Sequence, residues 1–212
     1  SHRYVIEQEM GLSYDRPAHH MREYLNVLLP LLQTGTVDYK GDLYRTNASL
    51  DVPEASAPPV VIAALGPAML KLAGNRTAGT TLWLTGVKTI AEHTVPTIIQ
   101  AAADAGRKPP RVIAGVPVVL ASDPDSARAM VDRQLGPYKN IPSYRAMLDR
   151  EGASGPGDVA LVGNESELRQ QLQTLRKIGV TDLNAVLVNE SRDTYENTLA
   201  FLANEIKAFT GD

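Results

Sequence analysis

The chain has 212 residues, a formal net charge of −3, 43% hydrophobic and 21% charged side chains, and no cysteine. This is ordinary globular composition with enough apolar material for a sizeable core. The missing cysteines exclude disulfides, thiolate metal sites and cysteine nucleophiles, and fit a reducing cytoplasm. The mild acidity gives no field that would gather nucleic acid or an anionic membrane. No apolar run approaches the ~20 residues of a membrane span, and Ser1-His2-Arg3-Tyr4 has the character of neither a signal nor a transit peptide.

In chain order, Asp15-Arg16-Pro17 predicts a helix start, with Asp15 as N-cap and the proline in the first turn. Met21, Leu25, Leu28 and Leu32 recur at helical spacing, and Gly35 is the stop. Val37 to Tyr44 predicts a small hairpin turning at Lys40-Gly41-Asp42, and the polar stretch from Asn47 to Pro59 predicts a loop. Val60 to Ala64 is a short continuous apolar run of the kind found in strands buried on both faces. A helix follows from Pro67. Thr80 to Leu84 is the next strand. Helical sequence then runs from about Thr89 to Ala105, interrupted at Pro96 and ended by Gly106. Val112 to Leu120 is another strand, and Asp123-Pro124-Asp125 opens another helix. Leu135 to Arg150 predicts helix in pieces, broken near Pro137 and Pro142, with Arg145 to Glu151 as a solvated charged face. After the Gly152–Gly157 loop come a short strand over Val159–Val162 and a helix with capping-box spacing at Asn164 and Glu167. A strand over Leu183–Val188 and a closing helix from Tyr195 complete the chain. The strand–helix alternation predicts βαβ units, a parallel sheet and one domain over residues 1–212. Four or five strands make either an open sheet or part of a (β/α)₈ barrel.

The sharpest local signal is Ala64-Leu65-Gly66-Pro67. A buried strand ends in small residues and turns directly into a helix. Gly66 leaves room for a ligand at the backbone, and a helix start presents free N–H groups and the positive end of its dipole to an anion. Gly-Pro at such a turn also serves purely structural ends. Ser1-His2-Arg3 combines hydroxyl, imidazole and guanidinium, a set that can hold phosphate, although a cloning remnant or a frayed terminus accounts for it equally. Thr85-Gly86 stands at the next strand-to-helix turn, where the hydroxyl either meets a ligand or caps the helix. His19 and His20 are neighbours on a helix and diverge, and His93 stands alone beside Glu92. None of the three is assigned a metal or catalytic role. The phosphate-binding, dinucleotide, zinc-protease and serine-hydrolase motifs G-x-x-x-x-G-K-[ST], G-x-G-x-x-G after a strand, H-E-x-x-H and G-x-S-x-G are missing from the sequence.

Three sets of segments together resemble the luciferase-like flavin- and F420-dependent oxidoreductases, most nearly the actinobacterial F420-using branch. They are Ser1-His2-Arg3 with Met10 to Pro17 and His20 to Leu25; Ala63 to Gly74 with the strand Thr80 to Thr85; and Leu161 to Asn164 with Gly179 to Leu183. The resemblance implies a TIM barrel (an α/β fold) of which this chain is roughly the C-terminal two-thirds, with the hairpin as the family's insertion. It implies that the first three strands and most of the fourth precede residue 1, with the catalytic residues and a non-proline cis peptide among them. It places a cofactor phosphate between Ser1-His2-Arg3 and Leu65-Gly66-Pro67, and Ala64 and Thr85 near the ring or its side chain. The implied function is hydride transfer between coenzyme F420 and an unidentified organic substrate, in a cytoplasmic homodimer. An FMN-dependent monooxygenase of the same fold, and a non-catalytic truncated barrel that binds a phosphorylated ligand, are the alternatives.

Overall fold

The structure, a computed structural model, describes residues 2–52 and 54–210, with side chains described through residue 206. Helix α1 (Pro17–Thr34) starts one residue later than a cap at Asp15 requires: Arg16 is the N-cap, in the left-handed region at φ 50°. Asp15 is instead drawn to the Arg3 guanidinium, 3.3 Å away. Gly35 ends the helix at φ 75°, a conformation glycine adopts without steric cost.

The hairpin is longer than its sequence pattern. Strands β1 (Thr36–Lys40) and β2 (Arg45–Ser49) pair antiparallel from Thr36 with Ser49 to Lys40 with Arg45. Asn47 to Ser49 is therefore ladder and not loop, and the turn lies over Gly41–Tyr44, closed by the Gly41 N–H to the Tyr44 carbonyl. Its polar residues read as loop because neither face of β2 is buried.

The remaining strands form one parallel sheet: β3 (Val61–Ala63), β4 (Gly79–Thr81), β5 (Arg111–Leu120), β6 (Leu161–Gly163) and β7 (Asp182–Leu187). The order is β3-β4-β5, with β6 and β7 both pairing β5. Backbone groups of alternate residues point to opposite edges of a strand. Gly115 and Ala121 of the β5 segment bond toward Leu82 and Gly163, whereas Val112 bonds toward Thr181. Thus β6 shares the β4 edge of β5, farther along, and β7 takes the other edge.

Between the strands lie α2 (Pro67–Arg76), α3 (Val87–Thr89), α4 (Val95–Asp104), α5 (Pro124–Leu135), α6 (Pro142–Glu151) and α7 (Glu165–Lys177), and α8 (Arg192–Thr210) closes the chain. Pro96 does not interrupt the helix; it sits in the first turn of α4, and the turn before it, Ile90–Thr94, widens to a π-helix. The wider turn accommodates a ring that would otherwise meet the carbonyl four residues back. Asp123 caps α5 by accepting the Ser126 N–H, and Asn164 with Glu167 forms a complete capping box on α7.

Only one face of the sheet is fully covered. Ile62, Ala64, Leu82, Val112, Ala114, Val116 and Val118 pack with Leu25, Leu70, Ile98 and Phe201 in the main core. On the opposite face Val61, Thr81 and Ile113 are half-buried and Ala63 and Asn184 exposed, while farther along β5 Gly115, Pro117 and Val119 are buried, Val119 against Ala127, Met130 and Val131 of α5. Among the described residues, β3, β6 and β7 each pair with a single neighbour.

Candidate cofactor site at the carboxyl end of the sheet

The β3-to-α2 turn stands at the carboxyl end of its strand. Ala64 is buried, Leu65 half-buried, and Gly66 and Pro67 exposed. Gly66 is the N-cap of α2 with extended backbone (φ −79°, ψ 157°), and a Cβ added there meets nothing within 4 Å. Pro67 has no N–H, and the first helical hydrogen bond runs from Leu70 N–H to the Gly66 carbonyl. The Gly66, Ala68 and Met69 N–H groups have no partner among the described hydrogen bonds. Three donors at the positive end of a helix, beside a residue with free space, form a cradle for an anionic oxygen.

The carbonyls on the inner side of the turn are held. Leu65 O lies 3.0 Å from Nε2 of His93, a residue only 8% exposed. Ala64 O lies 3.5 Å from the Thr80 hydroxyl. The sequence left His93 without a role, because its partner is distant along the chain.

The next turn, β4 to α3, has the same grammar and a different fate. Gly86 is the N-cap of α3, again extended (φ −78°, ψ 168°). Here the Glu151 carboxylate accepts the Lys88 N–H at 3.0 Å and the Thr89 N–H at 2.7 Å. A Cβ on Gly86 would stand 2.2 Å from Glu151 Cδ. The charged stretch ending α6 is therefore not a wholly solvated face; its last residue neutralises a neighbouring helix start. Thr85 is 1% exposed, and its hydroxyl donates to the Trp83 carbonyl at 3.3 Å. In this arrangement that hydroxyl faces protein.

The amino-terminal candidates are placed elsewhere. Ser1 lies outside the described residues. His2 meets the rings of Tyr138 and Tyr144 at 5.7 and 6.3 Å, and Tyr138 in turn meets Trp83 at 5.9 Å. Arg3 is bonded to Glu7 and Asp15 and lies over the Tyr14 ring. None of the described contacts joins His2 or Arg3 to the Leu65–Pro67 turn. The Arg3 charge is answered by two carboxylates, so a phosphate there would have to displace them.

The other titratable cluster serves the hairpin. The buried Glu23 carboxylate accepts the N–H groups of Asp42, Leu43 and Tyr44 at 2.9–3.1 Å. Nε2 of His19 lies 3.2 Å from it and 3.5 Å from Asp42. Burial opposes ionisation of Glu23, but the three N–H donors and His19 more than offset it and hold its pKa below the ordinary value. His20 diverges from His19 and reaches the Tyr44 hydroxyl at 2.6 Å. The donor atoms of His19, Glu23 and Asp42 lie within 4.8 Å of one another, and the contacts they make latch the hairpin to α1.

A cleft of about 550 Å³ lies between the starts of α5, α7 and α8. Its charged lining is Asp123, Glu165 and Glu190, and Asp123, Asn164 and Ser191 already cap those three helix starts. Such a lining repels an anion, whereas the uncapped cradle at Gly66 suits one.

Residues 1–182 match the family model for luciferase-like monooxygenases. The chain belongs to that family. Over 115 residues it is 31% identical to the F420-dependent glucose-6-phosphate dehydrogenase of Mycobacterium leprae, a match taking in 52% of this chain and 33% of the relative. Among solved structures, it resembles the coenzyme F420-dependent tetrahydromethanopterin reductase of Methanopyrus kandleri (23% identity, TM-score 0.70), covering 90% of this chain and 67% of that one. It also resembles an F420-dependent secondary alcohol dehydrogenase in complex with an F420–acetone adduct (15% identity, TM-score 0.74), covering 95% and 67%. The chain thus spans about a third of the curated relative's length in that match and two-thirds of these solved chains. The half-covered sheet, open along β3 and β7, is consistent with a partial luciferase-like barrel: β3-β4-β5-β7 follow one another across it, and β6 pairs only the far end of β5, at Val118–Leu120. No cis peptide occurs among the described residues.

Proposed function

We propose that this chain is the cofactor-tail portion of an F420-dependent oxidoreductase, and that the Leu65-Gly66-Pro67 turn receives the cofactor's phosphate. The observation that carries the reading is the uncapped, open start of α2 at the carboxyl end of the sheet, in a luciferase-like chain with an F420-dependent relative at 31% identity. The site fits the group chemically. A phosphate needs converging N–H donors and close backbone approach, and Gly66 supplies both a donor and the space. The bound deazaflavin would supply the hydride chemistry. The residues of this chain bind and orient its tail: Gly66, Ala68 and Met69 through N–H groups, Ala64 and Leu65 by forming the floor behind them. Thr85 belongs to the same rim and contributes backbone position, its hydroxyl being engaged with Trp83. His2 and Arg3 would join only by exchanging their present partners. The groups near the reacting carbon lie outside the residues named here.

The substrate is an organic small molecule, and the family resemblance carries a homodimer in the cytoplasm as the expected setting. The test is a binding titration of the protein with F420 and with FMN. Saturable binding of F420 in preference to FMN supports the reading. Preference for FMN moves the chain to the flavin branch of the family, and saturable binding of neither removes the proposal.

A further inference from the structure

The cradle at Gly66 is only as good as the orientation of its peptide planes. A planar trans peptide sets the carbonyl of one residue and the N–H of the next in opposite directions. Whatever fixes the Leu65 carbonyl therefore aims the Gly66 N–H. That carbonyl lies 3.0 Å from His93 Nε2. A carbonyl only accepts, so Nε2 carries the proton and donates. His93 is 8% exposed and Gly66 is exposed, so the donor pulls the carbonyl inward and turns the Gly66 N–H toward the open side.

We infer that His93 is a positioning residue for the cofactor phosphate, setting the Leu65–Gly66 peptide plane and thereby the first donor of the anion cradle. The inference rests on the functional reading above and extends it to a residue that would touch no ligand. Two further features support it. His93 sits in the π-helical turn Ile90–Thr94, an irregularity that proteins use to present a side chain that a regular helix would turn elsewhere. The adjacent carbonyl, of Ala64, is also bonded from within, by Thr80 at 3.5 Å, so two successive planes are held from the core side. A hydrogen bond accepted by the carbonyl also polarises its peptide, strengthening the N–H on the far side as a donor.

The experiment compares dissociation constants for ligand pairs that differ in the phosphate-bearing tail: F420 against its tail-less deazaflavin, and FMN against riboflavin. The ratio of tail-less to phosphate-bearing Kd measures what the phosphate contributes. His93→Leu removes the donor, and His93→Gln retains one. The expected result is that His93→Leu lowers the ratio by about tenfold, the scale of a hydrogen bond to a charged group, leaves tail-less binding within about twofold, and is largely rescued by His93→Gln. If His93→Leu does not fold, His93→Phe, a ring without a donor, replaces it. In the ligand-free protein the Gly66 amide resonance should also shift more in the Leu or Phe variant than in the Gln variant. An unchanged ratio, equal weakening of both ligands, or failure of Gln to rescue overturns the inference. Gly66→Val separates the two claims. A ratio sensitive to Gly66→Val but not to His93 sinks the positioning role alone; a wild-type ratio near one sinks the phosphate site and the inference together.

Discussion

Two neighbouring turns of this molecule are built from the same local pattern and do different things. At Gly66 and at Gly86, shortly after a parallel strand ends, a glycine with extended backbone forms the N-cap, and a helix begins. The Gly86 turn is closed by Glu151, which takes two of the helix's first N–H groups. The Gly66 turn is left open by side chains and held only from behind, by His93 and Thr80. A helix start that is already neutralised by a carboxylate repels a phosphate, and one that is not attracts it. The difference separates a structural junction from a candidate binding site.

Substitutions can sharpen or break that contrast. The largest expected effect on folding is Gly86→Ala. The backbone there accepts alanine, but the new Cβ collides with the Glu151 carboxylate, so we expect a loss of about 1–3 kcal/mol, measured by denaturant unfolding. Glu151→Ala should cost about 1–2 kcal/mol, the scale of losing an N-cap, and hydrogen exchange should show early opening at Lys88 and Thr89. Gly66→Ala, with the same backbone and open space, should change stability by no more than about 0.5–1 kcal/mol, if anything favourably. Equal costs at the two glycines would mean the turns do not differ as described. The smallest effect is local and acid-dependent. The Glu23 pKa is lowered on folding, so its contribution is fully present above the ordinary glutamate value of about 4.3 and is lost as pH falls through the lower folded value. Exchange at Asp42, Leu43 and Tyr44 should therefore rise in acid before exchange in β5 does. Simultaneous loss would deny Glu23 its role as the hairpin latch.

The contrast also marks where local sequence stops being informative. Strands β3, β5 and β7 were legible because buried parallel strands read as apolar runs, and the caps at Asp123 and Asn164 because a cap and its helix are adjacent in the chain. The Gly66 turn was visible as a pattern for the same reason. That Gly86 is filled was not visible, because Glu151 is brought to it by the packing of α6. Nor was the hold of His93 on Leu65, which depends on a π-turn inserted ahead of Pro96. Asp15 misled as a cap because a nearby guanidinium attracts it more effectively than the helix start does. His19 takes its meaning not from its neighbour His20 but from Glu23, four residues on along the same helix face. Partial barrel character is legible from strand count and family pattern, and the structure adds its physical form, a sheet fully covered on one face and only partly on the other.

The central claim is that the open turn holds a phosphate and the closed one does not. The most direct measurement is a titration of F420 and FMN into the wild-type protein and into Gly66→Val, with thermal unfolding as the control for folding. We predict at least a tenfold weakening of the cofactor that binds wild type, with the melting temperature nearly unchanged. Unchanged affinity in a folded Gly66→Val variant would contradict the account.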